Sequence, residues 1–113
     1  VVITNLTRED IHEAVEDAFR YSHLVLAASS YDAGVFPPME AFLNRLKAKN
    51  YQKRTVGIIE NGSWAPTAAK TMKAILEGAK ALTITESVVT IKSALKPENI
   101  PQLETLASEL LNA

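Results

Sequence analysis

Apolar positions along the chain switch between two spacings, and the switches predict its elements. Val1 to Leu6 is an apolar, β-branched run that predicts a strand. Thr7-Arg8-Glu9-Asp10 then sets a hydroxyl three residues before an acid, a variant of the capping box, and predicts a helix start. Ile11, Ala14, Val15, Ala18 and Phe19 follow at helical spacing, the stripe of a helix lying on a sheet. Leu24-Val25-Leu26-Ala27-Ala28 is apolar throughout, which predicts a central parallel strand buried on both faces.

The cycle then repeats. Residues 29–38 hold the turn formers Asp32, Gly34 and Pro37-Pro38, and the prolines suit a first helical turn. Met39, Phe42, Leu43 and Leu46 form the next stripe, Lys47 to Lys53 a basic run-out, and Thr55 to Ile59 a strand. Glu60 to Ala65 reads as a loop. Pro66 opens a helix with Ala69, Met72, Ile75 and Leu76 on its inner face, and Gly78 stops it. Leu82 to Thr85 and Val88 to Ile91 predict a last strand interrupted near Glu86-Ser87. A final helix carries Leu103, Leu106, Ala107, Leu110 and Leu111, with Pro101 in its first turn. Strands alternating with helices predict an α/β fold: a three-layer sandwich around a parallel sheet of about four strands, with right-handed crossovers.

Composition narrows the picture. A chain of 113 residues, 47% hydrophobic, suits a single domain over residues 1–113. Twelve Lys and Arg against 13 Asp and Glu leave a net charge of −1, which provides no field for nucleic acid or an anionic membrane. Cysteine is absent, which removes thiol catalysis, disulfides and thiolate metal sites and agrees with a cytoplasmic location. No apolar run approaches the roughly 20 residues of a membrane span. The chain opens inside an apolar run, without Met, as if cut from something longer.

Parallel sheets bind ligands beyond the carboxyl ends of their strands, so the loops at 29–38 and 60–66 are the candidate site. They carry Tyr31, Phe36 and the only tryptophan, Trp64, together with Gly34 and Gly62, and suit a flat, partly polar ring. Phe36, ahead of two prolines, is assigned to packing. Asn61, Gly62 and Ser63 read equally well as a tight turn and as a binding loop. His12 and His23 have no clustered carboxylates and are assigned to structure rather than metal. The basic stretch from Lys47 to Arg54 is assigned to a helix end and its solvated connection, not to nucleic acid.

At the loops a family resemblance is carried by particular residues. Ser29-Ser30-Tyr31-Asp32-Ala33-Gly34-Val35-Phe36-Pro37-Pro38, followed about 25 residues later by Ile59-Glu60-Asn61-Gly62-Ser63-Trp64-Ala65-Pro66, resembles the flavodoxin domain of flavodiiron proteins, the A-type flavoproteins. The family's first stretch is closer to Ser-Pro-Thr-Tyr-Asn-Gly-Gly-Ile-Phe-Pro-Pro, so Ala28 stands for the usual Ser and Ser29 for the usual Pro. The resemblance implies a flavodoxin-like sandwich that binds FMN and transfers electrons. Ser29, Ser30, Tyr31, Asp32, Ala33 and Gly34 would border the isoalloxazine ring, and Glu60, Asn61, Gly62, Ser63 and Trp64 would close its other side. Asp32 and Glu60 would add negative charge that disfavours the anionic hydroquinone.

The resemblance also implies partners and gaps. Flavodiiron proteins deliver electrons to a di-iron centre on another domain and draw them from a redox donor such as a rubredoxin. No His-x-Glu-x-Asp-His ligand run occurs here, so that reduction is not credited to this chain and no catalytic residue is assigned. A flavodoxin opens with a strand and a hydroxyl-rich phosphate loop at a helix start. No such loop precedes a helix in this sequence, which predicts a fold lacking its first strand–helix unit and weak FMN binding at most. It also predicts an exposed sheet edge that recruits a second copy of the chain. Two other readings remain. One is a cofactor-free α/β association module. The other is a phosphoacceptor receiver, which needs an Asp ending a central strand where this chain has Ala27-Ala28-Ser29.

Overall fold

The helical stripes and apolar runs sort into layers. The computed structural model describes residues 2–31, 34–62, 67–77, 82–92 and 95–112. The first helix, α1 (Ile11–Arg20), starts later than its capping pattern predicts. Asp10 is its N-cap and accepts from the His12 N–H at 2.9 Å. Thr7 is instead held by Asn5, whose Oδ1 accepts from the Thr7 N–H at 3.0 Å and the Thr7 hydroxyl at 2.6 Å. A local side-chain turn has outcompeted the helix for that residue.

Residues 2–5 are in no strand, which corrects the strand expected over Val1 to Leu6; Val1 itself lies outside the described residues. A strand needs a ladder partner for its backbone groups, and none of the four described strands pairs with this segment.

Among the described residues four strands form one sheet: β1 (His23–Tyr31), β2 (Gly34–Val35), β3 (Thr55–Asn61) and β4 (Thr83–Ile91), in the order β2-β1-β3-β4. β1, β3 and β4 run parallel, with Leu24 beside Val56, Leu26 beside Ile58 and Ile59 beside Val89. The two-residue β2 folds back antiparallel onto the end of β1. Between Val56–Ile84 and Ile58–Val88 the register shifts, so β4 bulges at the interruption predicted near Glu86-Ser87. There Ser87 N–H donates to Glu109 Oε1 at 3.0 Å and the Thr85 hydroxyl to the Ser87 carbonyl at 3.0 Å, replacing ladder bonds.

Partners across a ladder point to the same face. Leu24, Leu26, Val56 and Ile58 face the layer of α1, α2 (Pro37–Ala48) and α3 (Ala68–Leu76). The predicted stripes close this core: Met39, Phe42, Leu43 and Leu46 of α2 and Ala69, Met72 and Leu76 of α3 are buried. Full burial of a side chain such as Leu43 contributes about 1.5–3 kcal/mol. Tyr51, expected in a solvated basic connection, is buried with them; its ring meets Phe19 edge to face at 5.1 Å. Arg54 pins the connection by donating to the carbonyls of Phe19, Tyr21 and Gln52, each at 2.8 Å, while its guanidinium lies 5.4 Å from the Tyr51 ring centre.

The opposite face carries α4 (Asn99–Leu111), which packs on β4 and β3. Gly57 permits its approach, because a Cβ there would lie 3.1 Å from Leu106 Cδ1 and 3.3 Å from Leu110 Cδ1. Of the predicted stripe, Leu106 is buried and Leu103 and Leu110 half-buried, while Ala107 and Leu111 are exposed. β1 departs from expectation on this face. Val25 lies beside Gly57, but α4 does not extend over it, and Val25 is 46% exposed where Leu26 is 1%. The strand predicted to be buried on both faces is buried on one.

Candidate functional site

Both predicted loops leave the same end of the sheet. Ser29 lies beside Asn61, and Asn61 beside Ile91, so the three parallel strands finish level. Beyond Ser29 the chain makes a hairpin, Ser30 pairing with Val35 and Tyr31 with Gly34, and Phe36 N–H donates to the Ser29 carbonyl at 3.0 Å. Pro37 and Pro38 then end the pairing, since neither has an N–H, and open α2. Thus Ser29, Ser30 and Tyr31 belong to a strand and Gly34 to its return. Asp32 and Ala33, between them in sequence, lie outside the described residues.

On the second side, Glu60 and Asn61 are the last residues of β3 rather than loop residues. Gly62 follows, and its N–H donates to the Ile91 carbonyl at 3.1 Å, tying the exit of β3 to β4. Asn61 and Gly62 are half-buried, while Ser63 and Trp64 lie outside the described residues. Glu60 is buried, with 7% of its surface exposed. Its Oε1 accepts from the Ala69 N–H at 3.0 Å and its Oε2 from the Thr90 hydroxyl at 2.7 Å. One carboxylate therefore joins β3, β4 and the start of α3, where negative charge is favoured by the helix dipole. Any influence of Glu60 on a molecule in the loops acts through its field and through the loop it anchors.

A third connection, absent from the sequence-derived site, reaches the same end after β4. Asn99 is buried there: its Oδ1 accepts from the Lys96 N–H at 2.9 Å, and its Nδ2 donates to the Thr90 carbonyl at 3.3 Å and Gln102 Oε1 at 2.9 Å. Lys96 Nζ donates to the Lys92 carbonyl at 2.9 Å. The signal was the strand–loop–helix cadence alone, because 92–98 lacks aromatics and glycine.

The helix starts at this end offer an anion few open donors. α2 begins with two prolines, Glu60 takes the Ala69 N–H of α3, Asp10 and Glu13 stand at the start of α1, and in α4 the N–H groups of Asn99 and Ile100 donate to the carbonyls of Lys96 and Pro97. Among the described residues these starts do not fit a phosphate dianion, which needs open N–H donors.

The same arrangement of strands and helices occurs in solved structures. The fold is flavodoxin-like. A flavodoxin 1 from Bacillus cereus matches 91% of this chain with a TM-score of 0.74 at 12% identity, and the match takes in 74% of that flavodoxin. A flavodoxin from the domain Archaea matches 95% of this chain and 72% of its own, with a TM-score of 0.73 at 15% identity. Flavodiiron structures share the fold. A flavodiiron core from Synechocystis sp. PCC6803 matches 99% of the chain with a TM-score of 0.86 at 12% identity, and the rubredoxin oxygen:oxidoreductase of the anaerobe Desulfovibrio gigas matches 90% with a TM-score of 0.75 at 14% identity. The chain spans 28% and 31% of those two proteins respectively. No family model and no curated protein sequence matches it.

Proposed function

We propose that this flavodoxin-like chain holds the ring system of FMN between the exits of β1 and β3 and serves as an electron-transfer module. The observation that carries the reading is the level finish of β1 and β3, Ser29 beside Asn61, at the end of a parallel sheet where such folds bind their ligands. Ser29 to Gly34 form one wall of the proposed site, and Glu60 to Trp64 the other. The flavin supplies the redox chemistry; the chain orients the ring, shields its faces and sets the polarity near its nitrogens. Glu60 positions the second wall through Ala69 and Thr90. Asp32 adds charge at the first. By analogy with flavodiiron proteins, the electron acceptor is a di-iron domain and the donor a rubredoxin-like protein.

A ring site without a phosphate site makes a distinctive prediction. Riboflavin and FMN should quench on titration with the chain and give dissociation constants within about threefold of one another. A phosphate held by two or three charge-assisted hydrogen bonds, each about 1.5–3 kcal/mol, would separate them by a hundredfold or more. A strong preference for FMN overturns this division of the site. The second reading, a cofactor-free association module, is favoured by the outer edge of β1, which among the described residues is paired only at Ser30 and Tyr31; a chain that leaves both flavins fluorescent supports it.

A further inference from the structure

The exit of β3 carries a pair of residues that can react with each other. Asn61 is followed by Gly62, and this is the one Asn-Gly pair of the chain; the other asparagines precede Leu6, Arg45, Tyr51, Ile100 and Ala113. A backbone nitrogen attacks the side-chain amide of the asparagine before it most readily when it belongs to glycine, which has no Cβ to crowd the approach. Gly62 is therefore the favoured nucleophile of the sequence and Asn61 the favoured target.

The fold holds the two apart. Asn61 is the last residue of β3, in register with Ser29 on one side and Ile91 on the other. Gly62 N–H donates to the Ile91 carbonyl at 3.1 Å, so the nitrogen that would attack is turned towards β4. Side chains of a strand stand perpendicular to the sheet, away from that direction. Ring closure requires the backbone at Asn61 to leave its extended conformation, which breaks the Gly62–Ile91 bond. Glu60, tied to Ala69 and Thr90, holds this end of β3 in place. Strand ends nevertheless open at a smaller free energy than the whole fold, because few contacts are lost with them.

We infer that Asn61–Gly62 is a deamidation site gated by the exit of β3, silent while Gly62 pairs with Ile91 and reactive when that exit opens. The Gly62 nitrogen bonds to Asn61 Cγ, the Cγ–Nδ2 bond breaks, and the amide nitrogen leaves as ammonia with the Gly62 proton. Water then opens the succinimide ring. Attack at Cγ gives aspartate; attack at the main-chain carbonyl of Asn61 gives isoaspartate, whose backbone is one carbon longer. No electrons are exchanged, and water is the one co-reactant. Either product adds a carboxylate next to Glu60 in sequence, and the longer backbone takes Gly62 out of register with Ile91. That this spoils the second wall of a flavin site rests on the function proposed above; the modification itself does not.

The experiment incubates the full chain at neutral pH, in buffer and in guanidinium chloride, and follows the tryptic peptide Thr55–Lys70, in which Asn61 is the single asparagine, by mass spectrometry. In denaturant this peptide is expected to gain one dalton before any other asparagine reacts, as a mixture of aspartate and isoaspartate. In buffer the gain is expected to be at least tenfold slower. Glu60→Ala, which releases the strand end, should speed the buffer reaction at least threefold and leave the denaturant reaction unchanged; Thr90→Val, which removes one of the two anchors, takes its place if Glu60→Ala does not fold. Another asparagine reacting first in denaturant overturns the site. A buffer rate within tenfold of the denaturant rate, or one that the loosened exit leaves unmoved, overturns the gate.

Discussion

Tyr51 is buried with a hydroxyl that has no hydrogen-bond partner among the described residues. Burial pushes that hydroxyl above its ordinary value near 10, and Arg54 beside it pulls part of the way back. The unfolded chain loses this proton first, so the tyrosine's contribution is complete below about pH 10 and declines as the pH rises towards the folded value. Tyr51→Phe keeps the ring contacts with Phe19 and Arg54 and discards the orphan oxygen. It should raise stability at pH 7 by about 1 kcal/mol and flatten the loss above pH 10, both read from urea unfolding. Glu60 has the opposite character, since both oxygens are engaged. Glu60→Ala leaves the buried Ala69 N–H and the part-buried Thr90 hydroxyl without their acceptor and should cost about 1–3 kcal/mol in the same assay. Glu60→Gln, which keeps one acceptor, should cost less. Neither role was legible in the sequence. Tyr51 sits in a basic run that reads as solvent-facing, and the partners of Glu60 lie 9 and 30 residues away.

Elements were more legible than contacts. The stripes of α2 and α3 fell where the spacing put them, because apolar residues at i, i+3 and i+4 share a face whatever they pack against. The interruption of β4 was visible too, and it is a bulge that lets Ser87 reach Glu109. β1 was misjudged on one face, since an all-apolar run fits burial on two faces and a strand whose second face awaits a cover. The segment 2–5 was misjudged because strand propensity does not supply a partner. Gly57 marks the closest approach of α4. Gly57→Val should destabilise the chain by about 1–3 kcal/mol through overpacking against Leu106 and Leu110, observed as a lower urea midpoint with an unchanged slope.

At the scale of the whole molecule, three parallel strands finish level at one end of the sheet, and the proposed site lies there. The alternation of strand and helix made the fold legible, because that cadence fixes the architecture. The proposed site read as two loops in the sequence, whereas Ser29, Ser30 and Tyr31 belong to β1, Gly34 to β2, and Glu60 and Asn61 to the end of β3. The measurement that bears most directly on the account is ¹⁵N chemical-shift mapping of the labelled chain titrated with FMN. The amides expected to shift first and furthest are those of Ser29 to Gly34 and Glu60 to Trp64. Shifts confined to residues 2–7 or to Lys47–Arg54, or none at millimolar FMN, would contradict the proposed site.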